Sequence, residues 1–290
     1  MSFSDIKKSV SDSVFGDSEK IFLLIDPTLE SYQSVQDFYQ LVTDDDIHRV
    51  AFSHPELDGA LELWLIPLDK NSAQNMRLFD ASIECALNEI NPDNIRSGKG
   101  RSICSWISTK LTIGQLSEYI SRLAVQKVKG KGDVLMRFFD PAVFSFLFII
   151  LDTWQRQQIL NNIDAWGYID GDGRPQVMSG GGESHQKLNY SLGLTPLDLS
   201  NLGYISRMNK ILLRYRTLIG GAEITEQQAA ELLYPALHYF SDNYYLGDDG
   251  YIDFGINVLV KRERFPSYFK REREISRSLN ETLPRYKTME

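Results

Sequence analysis

Two acidic residues share one local pattern. Asp26 and Asp140 each close an apolar run, Ile21–Ile25 and Val134–Phe139, and each is followed by proline. A pair of carboxylates is what general acid/base chemistry requires. The same pattern has a structural reading. Asp is a preferred helix N-cap because its carboxylate accepts orphan N–H groups of the first turn. Proline at the next position loses nothing, since its missing N–H had no partner there. The capping reading is preferred, with Pro27 and Pro141 as the reason. Arg137 is a charge inside the second apolar run. Unless that run is an edge strand, it requires a carboxylate partner, and Asp26 and Asp140 are the candidates; a structural ion pair is the first reading and an anion-binding site the second.

Other groups with chemical potential fail on spacing. Asp170-Gly-Asp-Gly begins like a calcium loop, but the fifth and sixth positions are Arg174 and Pro175 instead of an oxygen ligand and glycine. A tight turn is the better reading. Ser184-His185 beside the glycines at 180–182 carries neither GxSxG nor a phosphate-loop motif. His48, His54, His185 and His238 form no HxxxH or HExxH pattern. His238, among Leu237, Tyr239 and Phe240, reads as a packed helix residue. Cys85 and Cys104 are the only cysteines and form no CxxC, which points to a reducing compartment rather than a disulfide framework. No metal and no cofactor is expected.

Composition sets the outer bounds. The chain has 290 residues, 42% hydrophobic and 24% charged, which is ordinary for a globular protein. Its net charge of -8 disfavours nucleic acid as a partner, since phosphate binding needs a basic face. The polar start of the chain lacks the apolar core of a secretory signal. The longest apolar stretch, Phe138–Leu151, is interrupted by Asp140-Pro141 and is shorter than the about 20 residues that span a bilayer. A cytosolic protein without a membrane partner is expected.

The elements that must position these residues follow from periodicity. Ile21–Ile25 reads as a strand covered on both faces. A helix is expected from Pro27 to about Val42. His48–Ser53, Leu61–Pro67 and Ser102–Ser108 read as strands, and Phe79–Ile90 as an amphipathic helix. Thr112 and Gln115 form a capping box, opening a helix expected to run through Val128 and stop at Gly130-Lys-Gly132. Val134–Phe139 reads as a buried strand leading to the Asp140-Pro141 cap. Thr153 is expected to cap Trp154–Ile163.

Past the glycines the texture becomes helical. Thr195-Pro196 opens a run with helical spacing to Ile219. Thr225–Gln228 is a second capping box, for a helix that Pro235 should kink. Asp253 is expected to cap 254–264, and a charged helix should cover 267–279. The sequence thus predicts an α/β N-terminal lobe, a mixed sheet with flanking helices, followed by an all-α C-terminal lobe. Residues 1–17 are a polar N-terminal segment, 18–178 the α/β domain, 179–190 a glycine-rich linker and 191–290 the helical lobe.

Several of these segments, taken in order, resemble the adaptor chaperones of type VI secretion effectors. Ile21–Pro27 resembles the opening strand of that family with its Asp. Leu61–Leu68 and Leu116–Leu123 resemble the next strand and the helix before the core motif, with Tyr119 standing where the family usually has His. Val134–Pro141, VLMRFFDP, is the central match, and Trp154–Trp166 resembles the segment after it. The resemblance makes Asp26, Pro27, Arg137, Phe138, Asp140 and Pro141 a fold signature. It implies a non-catalytic protein that binds a secreted effector, often by its N-terminal part, and the VgrG spike, commonly near its C-terminus. No small-molecule substrate is implied. Arg262, Arg264, Phe265, Tyr268 and Arg271, of interface-prone residue types on the C-terminal helices, are the candidate partner-facing residues. Alternatives are a hydrolase with Asp26, Arg137 and Asp140 in a cleft, and a structural subunit of an assembly.

Overall fold

The structure, a computed structural model, describes residues 2–16, 18, 20–29, 36–52, 54, 56–57, 60–180, 190–219, 224–243 and 248–262. In chain order these residues form α1 (Phe3–Phe15), β1 (Lys20–Ile25), α2 (Gln36–Leu41), β2 (His48–Val50), β3 (Leu63–Asp69), α3 (Ala73–Glu89), α4 (Pro92–Arg96), β4 (Ile103–Ser108), α5 (Ile113–Ala124), β5 (Val125–Val128), β6 (Gly132–Leu135), α6 (Pro141–Ile150), α7 (Thr153–Leu160), β7 (Ala165–Ile169), β8 (Pro175–Met178), α8 (Pro196–Leu202), α9 (Tyr204–Ile219), α10 (Glu226–Asn243) and α11 (Asp248–Lys261). The α/β part followed by helices is the architecture the sequence predicts. The chain divides into two compact units, Met1–Phe144 with Leu151–Pro196, and Ser145–Ile150 with Leu197–Glu290.

The first unit is built on a six-stranded sheet of order β2-β3-β1-β4-β7-β8. Every ladder in it is antiparallel. β4 and β7 are buried at every residue, as expected of interior strands. Residues 1–17, read from sequence as a polar segment, contain a helix docked on this sheet. Ser2 and Asp5 cap α1 reciprocally, and Ile6, Val10, Val14 and Phe15 at helical spacing are buried. These residues join Ile21, Leu23, Ile25, Phe79 and Trp106 in one core. Gly167 of β7 makes the fit possible, because a Cβ there would lie 2.5 Å from Val14 Cγ2. Its neighbour Trp166 points to the opposite face, where its ring stacks on Phe144 at 5.2 Å and meets Phe138 at 5.8 Å.

Local departures from expectation have local causes. α5 ends at Ala124 instead of Val128. The Gln126 side chain caps it, donating to Leu123 O at 3.0 Å, and the same amide donates to Tyr190 O and accepts from Leu192 N, both at 2.8 Å. Gly130 and Gly132, both at positive φ, then serve a hairpin turn between β5 and β6 and not a helix stop. The strand expected over 134–139 is cut short. β6 ends at Leu135, belongs to a separate two-stranded sheet, and leaves Arg137–Phe139 in a turn. Residues 27–29 form a turn, and the middle of the helix expected from Pro27 lies outside the described residues. Asp152 and not Thr153 caps α7, in a capping box with Gln155. α3 begins earlier than expected, at Ala73, on a Ser72 cap. The glycine-rich stretch at 181–189, with Ser184 and His185, lies outside the described residues. The residues after it are held in the first unit, with Leu192 fully buried, and the units divide after Pro196.

The second unit is helical. Gly203 separates α8 from α9, where one continuous run was expected. Thr225 and Gln228 exchange the expected capping bonds, and Pro235 lies within α10. α11 starts at Asp248, six residues before the start that the expected Asp253 cap implies. Phe240 and Phe254 stack at 4.2 Å, and Gly255 lets α11 approach Ile211 of α9. His238, expected to be packed, is a partly exposed helix residue, with its ring centre 6.2 Å from that of Tyr204 and Nδ1 3.2 Å from Asp242 on the solvent side.

The α1 docking can be tested by a double-mutant cycle. Gly167→Ala should destabilise the protein by about 1–3 kcal/mol through overpacking. Val14→Ala combined with it should cost less than the sum of the two single changes, because the smaller side chain makes room for the new Cβ. Additive effects in chemical denaturation would show that α1 does not rest on Gly167.

Candidate functional site

The chemical groups singled out in the sequence converge at the end of β1. A bulge makes the convergence possible. The β1–β4 register shifts from Leu24↔Ser105 to Ile25↔Ile103, leaving Cys104 as the extra residue. This bend brings Ser102 O to accept the Asp26 N–H at 2.8 Å. The Asp26 carboxylate is fully buried. Its Oδ1 accepts the Thr28 N–H at 3.0 Å and the Thr28 hydroxyl, and its Oδ2 accepts from Arg137 Nη2 at 2.8 Å. Asp26 therefore holds a turn directly after the strand.

Arg137 comes from the turn after β6, 111 residues away in sequence. Its Nε lies 3.7 Å from Asp140 Oδ2, and its guanidinium sits 5.3 Å from the Phe139 ring centre. Both candidate carboxylates are thus its partners, with Asp26 the closer. Asp140 is the expected N-cap. Its Oδ1 accepts the Ala142 N–H at 2.9 Å, and its carbonyl accepts from Val143 and Phe144, with Pro141 as the first helical residue. Burial pushes the Asp140 carboxyl above the usual carboxylate range, and the Ala142 N–H, Arg137 and Arg101 offset part of that shift. Phe138 is fully buried against Trp166.

A third carboxylate, Glu89, belongs to this centre and was missed. It is the last residue of α3 and is buried. Its Oε1 accepts the Ser102 N–H at 2.9 Å and the Ser102 hydroxyl, and its Oε2 accepts the Ile103 N–H at 3.2 Å. The signal was its position. Glu89 follows Cys85 and Ala86 by four and three residues, on the buried stripe of the helix. Burial, with Glu89 alongside, pushes the Cys85 thiol up, and burial does the same to Cys104 beside Asp26. Both are held as neutral thiols, the unreactive form.

The arrangement joins chain segments. Charge-assisted bonds from backbone N–H groups and one guanidinium occupy the carboxylates. Asp26 has no exposed surface to offer a substrate. Asp170 is likewise a turn residue, with Oδ1 accepting from Asp172 N and Arg174 N at 2.9 Å each in the β7–β8 hairpin. Among the described residues no cluster of three or more His, Cys, Asp or Glu side chains could hold a metal ion. Of the partner-facing candidates, Arg262 is exposed at the end of α11, where its N–H donates to Val258 O at 3.0 Å. Arg264, Phe265, Tyr268 and Arg271 lie outside the described residues, as does the charged helix expected over 267–279.

Two outcomes follow for the carboxylates. Asp26→Asn should cost about 2–4 kcal/mol of stability, since it removes the charge that partners Arg137. Asp140→Asn should cost less than about 1 kcal/mol, since Asn also caps, whereas Asp140→Ala should cost about 1–2 kcal/mol. Equal losses at the two Asn variants would contradict this ranking. The second outcome concerns pH. A raised folded pKa means ionisation of Asp140 opposes folding. Wild-type stability relative to Asp140→Asn should therefore increase as pH falls through the folded value toward the ordinary 3.8, and decrease as pH rises through it. Denaturant titrations of both proteins across mildly acidic pH measure the difference. In comparisons with known proteins, no family model, no curated protein and no solved structure matches this chain.

Proposed function

We propose that the chain is an adaptor that binds a cognate type VI secretion effector in the producing cell and loads it onto the VgrG spike. One observation carries the reading. The two segments at the heart of the resemblance, Ile21–Pro27 and Val134–Pro141, meet through the Asp26–Arg137 ion pair. A signature whose charged residues are engaged with each other and with backbone fits a fold-building role rather than turnover.

The physical mechanism needs no bond chemistry. An adaptor covers apolar effector surface and holds the cargo beside the spike, which raises the effective concentration at which the two meet. The partners are the effector, through its N-terminal part, and VgrG, through its C-terminal part. The C-terminal helices, with Arg262 exposed just past the end of α11, are the proposed contact surface.

The test is affinity capture of the tagged full chain from its own host, at native expression. Recovery of both a large toxin-like protein and a spike protein is expected. Arg262→Glu should lower recovery of one of them about tenfold, as loss of an interface arginine does. Recovery of neither partner would overturn the proposal.

A further inference from the structure

The β5–β6 hairpin carries Lys127, Lys129 and Lys131, all exposed, in a chain of net charge -8. Two other lysines of the first unit face carboxylates, Lys7 at 2.6 Å from Asp80 and Lys20 at 3.9 Å from Asp69. Among the described residues no ion pair engages the three hairpin lysines. Asp133 lies directly across from Lys127 in the ladder, yet its carboxylate is 3.6 Å from His54 Nε2. The tip is also open. A Cβ added at Gly130 or Gly132 would meet nothing within 4 Å. Behind the tip the hairpin is anchored, because Val128 and Gln126 are buried and Gln126 holds the backbone of Tyr190 and Leu192.

We propose that this hairpin tip is a docking surface for an acidic, extended segment of a protein partner. The inference does not rest on the adaptor reading. Lys127 lies on β5 and Lys129 and Lys131 in the turn that follows it, so three like charges sit within five residues on one short, open tip. Closely spaced carboxylates along an acidic segment supply the opposite charge that this cluster lacks. A polypeptide fits better than a nucleic acid or an anionic bilayer. Those surfaces extend far past the tip and would meet a chain of net charge -8. Exposed pairs are individually weak, so the contact selects and steers more than it grips, and it depends on salt.

The test uses the full chain and a fluorescent peptide of alternating Glu and Thr, read by anisotropy. Binding is expected at low salt and should disappear at high salt. The triple variant Lys127→Gln/Lys129→Gln/Lys131→Gln should bind about tenfold more weakly, as for the loss of three exposed pairs. Its thermal midpoint should match wild type, since the three side chains project into solvent. Lys8→Gln/Lys70→Gln, elsewhere on the surface, should bind as wild type does. Undiminished binding by the triple variant would overturn the proposal. So would a single-stranded oligonucleotide or a vesicle of anionic lipid that binds as tightly as the peptide and depends on the same lysines.

Discussion

The first unit depends on one buried charge, the carboxylate of Asp26. A fully buried carboxylate is tolerable only if hydrogen bonds and an opposite charge replace its water. Thr28 supplies the bonds from the same turn, and Arg137 supplies the charge from far along the chain. The requirement therefore fixes where the turn before α6 lies relative to the end of β1. Arg137 in turn reaches Asp140, which caps α6 and sets the start of that helix. Phe138, Phe144 and Trp166 pack where this arrangement holds them.

The same solution recurs at other element ends. Helix and strand ends leave backbone groups unsatisfied, and buried ends cannot leave them to water. Glu89 serves the start of β4, Gln126 serves the end of α5 and the backbone at 190–192, and the Tyr119 hydroxyl faces the carbonyls of Gln158 at 2.7 Å and Ile159 at 2.9 Å. Burial pushes the Tyr119 phenol up, which keeps it protonated and able to donate. Tyr119, the departure from the resembled pattern, thus ties α5 to the end of α7. Polar side chains of the types that catalysis uses here close the backbone's hydrogen bonds.

The Asp26 and Glu89 carboxylates are buried and bound by the chain's own donors, which turns attention to the exposed charges. An exposed lysine hairpin on an otherwise acidic chain, and an exposed arginine at the end of α11, are features that recognition can use. Recognition by exposed charges is cheap in stability and sensitive to salt. In the interior, burial holds both thiols neutral and the chain's own donors occupy the buried carboxylates.

What the sequence determined by itself was local. Capping boxes at Thr112 and Thr225, the cap at Asp140-Pro141, the turn at Asp170 and the buried run of β1 were legible, because each rests on contacts within about four residues. The α/β-then-helical order was legible for the same reason, being a sum of local periodicities. Arg137 announced that it needed a carboxylate. The tertiary structure decided which one, because sequence spacing says nothing of two segments 111 residues apart. It also decided that 134–139 breaks into a short strand and a turn, since an apolar run cannot say whether its burial comes from a sheet or from aromatic packing. Antiparallel pairing throughout the sheet, the docking of α1 on Gly167 and the burial of Glu89 are long-range facts of the same kind. Each depends on which surfaces meet, and that is settled only when the whole core closes.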